Sequence, residues 1–320
     1  MLLERYINTR AGLGRGIRTI EEYQRILKLY IELQLGSRPL SKLKPAHVTE
    51  WIADLQLHGG RSGSAISAKT AAHAFALLTA ALRWGVRQEL VGRNVCESAD
   101  RPKIIRPRAE AHTGDELNRL AKATVGTRWD HFIELALNTG ARRGELCALS
   151  WPDVDLEHGT IRIAASMSQS ASGVIRKSTK TGRTRSIPLN NEARGALRAQ
   201  RALAASDRLR IGSSYVVDDS RPIFTDEIGE RVTPKSATNA FARIAKTAKL
   251  SSTALHRLRH TAASMLIPAS DVVTAAAILG HSSPSTTANI YAHVIEGQER
   301  TAVDGLSRGI AKLRVAAEHR

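Results

Sequence analysis

The chain has 320 residues, enough for two domains with cores of their own, and 42% of them are hydrophobic but only 4% aromatic. Lys and Arg number 47 against 30 Asp and Glu, a formal +17 that points to a polyanionic partner, nucleic acid above all. Two cysteines cannot build a disulfide framework and suit a reducing cytoplasm, no apolar run is long enough to span a bilayer, and the opening MLLERYINTR does not read as a signal peptide.

The first hundred residues read as helices. TIEEYQRILKLYIEL sets Ile20, Tyr23, Leu27, Tyr30 and Ile31 on one helical stripe with Ile26 at its edge, and Thr19 with Glu22 has the form of a capping box at its start. KPAHVTEWIADL has Pro45 early and turns Val48, Ile52 and Leu55 inward. After the flexible connector HGGRSGSAIS, the Ala-rich KTAAHAFALLTAALRWGV is a third helix suited to close packing. SADRPKIIRPRAEAH, with prolines and cations but no helical stripe, reads as a linker that could follow a DNA backbone or serve only as a solvated tether. The second half is mixed. GDELNRLAKA and DHFIELALNTG are helical, GTIRIAASM and RSIPL alternate as strands with Ile187 and Leu189 on one face, and helices follow to the end. The polar turn STKTGRT between the two strands predicts a small antiparallel sheet.

Four short pieces carry side chains suited to phosphate chemistry. In NTGARRGELCALSW, Gly140 turns the chain and Arg142 stands just before the next helix, where a guanidinium beside free backbone N–H groups can meet a phosphate. Arginines at helix starts are also ordinary surface residues. Lys180, in STKTGRTR, falls at a hairpin tip, where a lysine is normally just solvated, and Lys177 competes with it. In ALHRLRHTAASML, His256 and Arg259 share a helix face and His260 leans to the same side, although a solvated basic turn would look alike. In ILGHSSPSTTANIYAHV, Gly280 and His281 fall at a helix end, where histidine commonly caps, and Tyr291 follows on a short helix, where a tyrosine commonly packs.

As a set, these residues are what a metal-free attack on a phosphodiester needs. Arginines hold the non-bridging oxygens, a tyrosine hydroxyl attacks, and a lysine protonates the departing oxygen. No Walker-type glycine loop and no zinc-spaced Cys/His cluster occurs, so the expected chemistry uses neither ATP nor a metal, and no other cofactor is expected.

TGARRGEL, HRLRH, LGHSS and TTANIYAHV resemble the motif boxes of the tyrosine recombinase (phage integrase) family, over roughly Ala111 to Val294. The N-terminal helices resemble the family's core-binding domain more loosely. The resemblance implies a mainly α fold with a small antiparallel β-sheet, divided into a helical core-DNA-binding domain (1–105), a basic linker (106–111) and a mixed α/β catalytic domain with a C-terminal tail helix (112–320). A separate domain for accessory arm sites is not expected. By the same resemblance Arg142 and Arg259 are the paired phosphate-binding arginines, and His256 assists proton transfer around the nucleophile. His281 contacts the phosphate and Lys180 is the general acid. Tyr291 is the nucleophile, forming a 3′-phosphotyrosyl link and releasing a 5′ hydroxyl. Glu145 supports the helix of the first box, and His260 orients the site.

The implied function is site-specific DNA strand exchange. A type IB topoisomerase-like relaxing enzyme and a catalytically silent DNA-binding regulator are the alternatives. The expected partner is double-stranded DNA at specific core sites, bound by a protein that is monomeric in solution and a homotetramer on paired sites. In the tail, Val303, Leu306, Ile310 and Leu313 share a helical face that docks either on its own domain or on a neighbouring protomer.

Overall fold

The computed structural model describes residues 2–60, 63–104, 110–171, 173–178 and 184–281, with the single positions 283, 285 and 288. Lys180, Tyr291, the tail from Ala302, position 105 and positions 106–109 of the expected linker lie outside the described residues. The chain divides into two compact units, Met1–Pro107 with Ser170–Ser172, and the remainder from Arg108.

The first unit is helical, as its apolar periodicity requires. α1 (Leu2–Gly12), α2 (Ile17–Ile26), α3 (Glu32–Leu35), α4 (Pro45–His58) and α5 (Ala68–Arg87) enclose a core that includes Leu3, Ile7, Ile26, Trp51, Leu55, Leu78 and Leu82. Ser67 caps α5 by accepting a hydrogen bond from the Thr70 N–H. Two expectations change here. α2 begins at Ile17 behind Gly16, without a side-chain cap. Glu22 is not available to cap, because its carboxylate holds the Arg25 guanidinium through two hydrogen bonds of 2.7 and 2.9 Å. Ile26 is central rather than at the edge of its stripe, only 2% exposed. The cause is a π-turn over Leu27–Ile31, in which the Glu32 N–H reaches back to the Leu27 carbonyl. The extra residue in the turn shifts the phase of the apolar stripe. The Tyr30 carbonyl within this turn accepts a 2.8 Å hydrogen bond from Trp51 Nε1 on α4, which ties the irregular turn to the core.

The second unit starts with α6 (Gly114–Thr124), capped by a reciprocal pair between Thr113 and Glu116, followed by α7 (Asp130–Thr139) and the short α8 (Arg143–Ala148). Five strands follow among the described residues: β1 (Val154–Asp155), β2 (Thr160–Ile163), β3 (Ala165–Ser170), β4 (Gly173–Ser178) and β5 (Arg185–Pro188). They form a three-stranded antiparallel sheet in the order β1-β2-β5 and a separate β3-β4 pair. The expected single strand over 159–167 is thus two strands that enter different sheets. β4 lacked a clear apolar alternation, since Arg176 and Lys177 follow Val174 and Ile175 directly. Lys177 is an exposed residue of β4 rather than a loop residue. Ile161 pairs with Ile187 and Ile163 with Arg185, so the isoleucines of β2 and β5 turn into the core with Phe132, Leu146, Phe224, Phe241 and Leu258.

α9 (Asn191–Ile211), α10 (Pro234–Thr247), α11 (His256–Ala269) and α12 (Val272–Leu279) complete the described part of this unit. α12 packs on α11 through a small cluster of its own: Ala263, Ile267, Ala275 and Leu279. Among the described residues no helix is long and apolar enough to cross a membrane.

Replacing Trp51 by Phe keeps the ring in the core but leaves the Tyr30 carbonyl short of its donor. The expected loss is about 1 kcal/mol, the net worth of a typical hydrogen bond, because this one is only part-buried. Urea unfolding followed by far-UV circular dichroism measures it, and an unchanged midpoint would remove the indole bond from the account of the π-turn.

Candidate functional site

Three helix ends build the site. α7 ends at Gly140, whose backbone is left-handed (φ 59°), and a Cβ there would stand 2.7 Å from a Leu279 methyl, so glycine is required on two counts. The turn delivers Arg142 as the residue that caps α8. α12 ends in the same way at Gly280 (φ 69°), and the His281 N–H closes the end on the Ala276 carbonyl at 2.9 Å. His256 is the first residue of α11, with Arg259 one turn further on.

The side chains then lock these ends together. Arg142 Nη2 donates to the Gly280 carbonyl at 2.9 Å. Arg259 Nη1 donates to the Gly140 carbonyl at 2.7 Å and Nη2 to the Leu279 carbonyl at 2.8 Å. Both guanidiniums therefore meet the carboxyl end of α12, where the partial negative charge of the helix favours a cation. The two arginines are not equivalent. The Arg142 side chain is 41% exposed, while Arg259 is buried.

The N–H groups at the start of α8 do not all await an outside anion, as the sequence had suggested. Glu145 turns back so that one carboxylate oxygen accepts the Arg142 N–H at 2.9 Å and the other accepts Arg142 Nη1 at 3.0 Å. Arg185, at the start of β5, meets both oxygens of the same carboxylate at 2.7 and 3.2 Å. Burial alone would raise the pKa of Glu145, but hydrogen bonds and charge from Arg185, then from Arg142, hold it below the ordinary value. The carboxyl stays ionised between two guanidiniums.

The histidines carry the mark of this crowding. His256 and His260 meet edge to face with ring centroids 4.8 Å apart. Desolvation pushes His256 down to about 4, with further lowering from His260, Arg259, Arg142 and Arg143, although the residue keeps solvent-exposed surface. His281 is likewise pushed down to about 4, first by desolvation and then by Arg259, Arg142, Arg185 and His256. Four of the six expected site residues, Arg142, Arg259, His256 and His281, are brought together in this way. Lys180 and Tyr291 lie outside the described residues.

Sequence reasoning missed Arg185 and Arg143. Arg185 sits in RSIPL, which reads only as a strand, and nothing local marks its first residue as a partner of Glu145, 40 positions away. Arg143 donates to the Thr238 hydroxyl of α10 and adds its charge beside His256.

With that geometry in hand, comparison with known proteins is direct. The sequence profile of the phage integrase family matches residues 111–297, more than half of the chain, and the profile of the phage integrase N-terminal SAM-like domain matches residues 2–56. The chain belongs to the phage integrase family. It is 29% identical over 211 residues to a XerC-like tyrosine recombinase of Caldanaerobacter subterraneus subsp. tengcongensis, across 62% of this chain and 54% of that protein. It is 33% identical over 205 residues to a tyrosine recombinase XerC of a Roseiflexus species, across 62% of this chain and 59% of the relative. The matched region thus spans a little over half the length of these relatives. In fold it is similar to the Tn1549 transposon integrase in complex with transposon right end DNA, with a TM-score of 0.79 at 22% identity, over 96% of this chain and 99% of the other. It is also similar to a lambda integrase in a tetramer bound to a Holliday junction, with a TM-score of 0.70 at 20% identity, over 90% of this chain and 76% of the other.

The depressed histidines give a direct test. In the free protein both rings are neutral at pH 7, and NMR titration of the His256 and His281 rings should give midpoints near 4. The unfolded chain takes up these protons near the ordinary 6.5, so stability falls as the pH drops from that value toward 4. Ring midpoints at the ordinary value would contradict the crowding of positive charge described above.

Proposed function

We propose that the chain is a site-specific DNA recombinase that cuts and rejoins strands through a 3′-phosphotyrosyl intermediate. The observation that carries this reading is the meeting of Arg142, Arg259 and His281 at the carboxyl end of α12, with His256, at the start of α11, in electrostatic reach of all three. That is a concentrated positive site in which the histidines themselves stay neutral. A phosphodiester is the complementary ligand.

In the proposed reaction the Tyr291 oxygen attacks phosphorus and the bond to the 5′ oxygen breaks, so the leaving strand ends in a 5′ hydroxyl. The tyrosine proton passes to His256, which is neutral in the free protein. Its depressed pKa would make it a weak base there, but a bound phosphodiester brings negative charge that raises it toward a useful value. Lys180 supplies the proton to the leaving oxygen. Arg142 and the neutral His281 donate to the non-bridging oxygens, and the buried Arg259 provides fixed positive charge beside them as charge grows on phosphorus. The bond energy is retained in the phosphotyrosine, so attack by a 5′ hydroxyl of another strand completes exchange without ATP.

A duplex library of randomised sequence tests this reading without a chosen target site. Incubation with the labelled library, followed by denaturing capture, should yield a covalent adduct enriched in one sequence. Tyr291→Phe should yield none while still binding the selected duplex, because only the attacking oxygen is removed. Arg142→Lys should slow adduct formation by about 10²-fold or more, since a lysine keeps the charge but loses the planar donor fork. An adduct formed by the phenylalanine variant would remove Tyr291 from its role. Plasmid relaxation without sequence preference would instead indicate a type IB-like enzyme, and binding with no adduct a regulator.

We also propose that the chain is a monomer in solution and a homotetramer on paired sites. The lambda integrase that shares its fold is a tetramer on a Holliday junction. Mass photometry with the selected duplex, alone and joined in pairs, should show one protomer free and four on the paired sites. A stable oligomer without DNA would reject this arrangement.

A further inference from the structure

We infer that Arg185 is a positioning residue for the phosphate site, acting through Glu145 on Arg142 and through the end of α12 on His281. The inference rests on the recombinase reading for its consequence in catalysis, but the placement it describes is physical and separately measurable.

The geometry closes a ring. Arg185 Nη1 and Nη2 grip Glu145, Glu145 grips Arg142, and Arg142 reaches the Gly280 carbonyl. Arg185 then returns to α12 through its third nitrogen, because Nε donates to the Ile278 carbonyl at 2.9 Å. Its guanidinium also lies against Gly280 so closely that a Cβ there would stand 2.6 Å from Nη1. One side chain thus touches the carboxylate that aims Arg142 and the backbone that aims His281.

The side chain is 13% exposed and the Glu145 side chain 3% exposed, so water cannot easily replace either partner. The two groups that meet at this carboxylate come from β5 (Arg185) and from the start of α8 (Arg142). Among the described residues α12 rests on a small apolar cluster and meets the large core through Ile278, and the polar ring adds hydrogen bonds at its carboxyl end. Lysine cannot reproduce the ring. A single ammonium can meet the carboxylate or the Ile278 carbonyl, but not both with a planar fork.

Arg185→Met removes the fork and keeps an apolar stem of similar length, and Arg185→Lys is the milder companion that guards against failure to fold. Three readouts apply to the full chain. The first is single-turnover adduct formation with the duplex selected by the wild type, beside equilibrium binding of that duplex. Adduct formation should fall by about 10²-fold in Arg185→Met, the scale of a misplaced reacting group. Binding should stay within about threefold, as most affinity comes from phosphate contacts elsewhere. Arg185→Lys should fall between.

The second readout is the pH dependence of the same rate. Without Arg185 the Glu145 carboxyl keeps Arg142 as its remaining ion-pair partner among the described residues and takes up a proton at higher pH. The ratio of variant to wild-type rate should therefore drop further as the pH is lowered, within the pH range where far-UV circular dichroism shows the variant still fully folded, so that falling stability does not account for it. The third readout is hydrogen exchange of the DNA-free protein, where amides of residues 276–281 should exchange faster in Arg185→Met than in the wild type.

Equal rates and equal pH profiles in an active protein would overturn the inference. So would a loss of adduct matched by loss of binding and of helical signal, with Arg185→Lys behaving as wild type. If the wild type itself forms no adduct, the recombinase reading fails, and exchange still decides the placement. Unchanged exchange at 276–281 overturns it, and faster exchange confined there upholds it.

Discussion

The Glu145 carboxylate is the constraint on which the site depends. It is buried, and a buried carboxylate persists as an anion only where hydrogen-bonded cations replace the water it has lost. Arg185 and Arg142 do so from different elements, one from a strand and one from a helix start. The attraction therefore goes into position. It fixes where α8 begins, how the Arg142 side chain leaves it, and where β5 meets the end of α12.

Around that anion the remaining charge is one-sided. Desolvation first, then Arg259 and Arg142 at both histidines, with Arg143 at His256 and Arg185 at His281, keeps the two rings neutral. Proton uptake at either ring would add to a field that is already positive. A phosphodiester reverses the balance by bringing charge of the opposite sign, which strengthens the donors that face it and raises the basicity of the rings. In the proposed reaction this links substrate binding to the protonation state the chemistry requires. It also gives the site a reason to be assembled before DNA arrives, since preorganised donors need no rearrangement as charge develops.

The same elements explain a division of labour in stability. The large apolar cluster of the second unit holds α6 to α11 and the three-stranded sheet, whereas α12 meets it through the partly buried Ile278 and otherwise rests on a small cluster and on hydrogen bonds from three arginines to its last carbonyls. Local opening of a segment costs least where few apolar contacts must be broken. The end of α12 is such a place, and it lies just ahead of the sequence that carries Tyr291.

Much of this was legible in the chain before any fold was drawn. Apolar periodicity located the helices of both units, glycine at 140 and 280 located two helix ends, and the boxes around Arg142, Arg259, His256 and His281 marked four side chains that the fold brings together, because each of these signals is local. The π-turn at Leu27–Ile31 was not legible, since its Tyr30 carbonyl meets Trp51 of another helix and no local pattern records that contact. The split of residues 160–170 between two sheets was not legible either, because strand pairing is a choice between partners distant in sequence. Sequence alone determined which residue types could serve a phosphate. The tertiary structure alone decided that Arg142 stays open while Arg259 is buried, and that Arg185 joins them. Burial and charge pairing are properties of neighbours in space, and the separation of 40 positions between Glu145 and Arg185 carries no record of that contact.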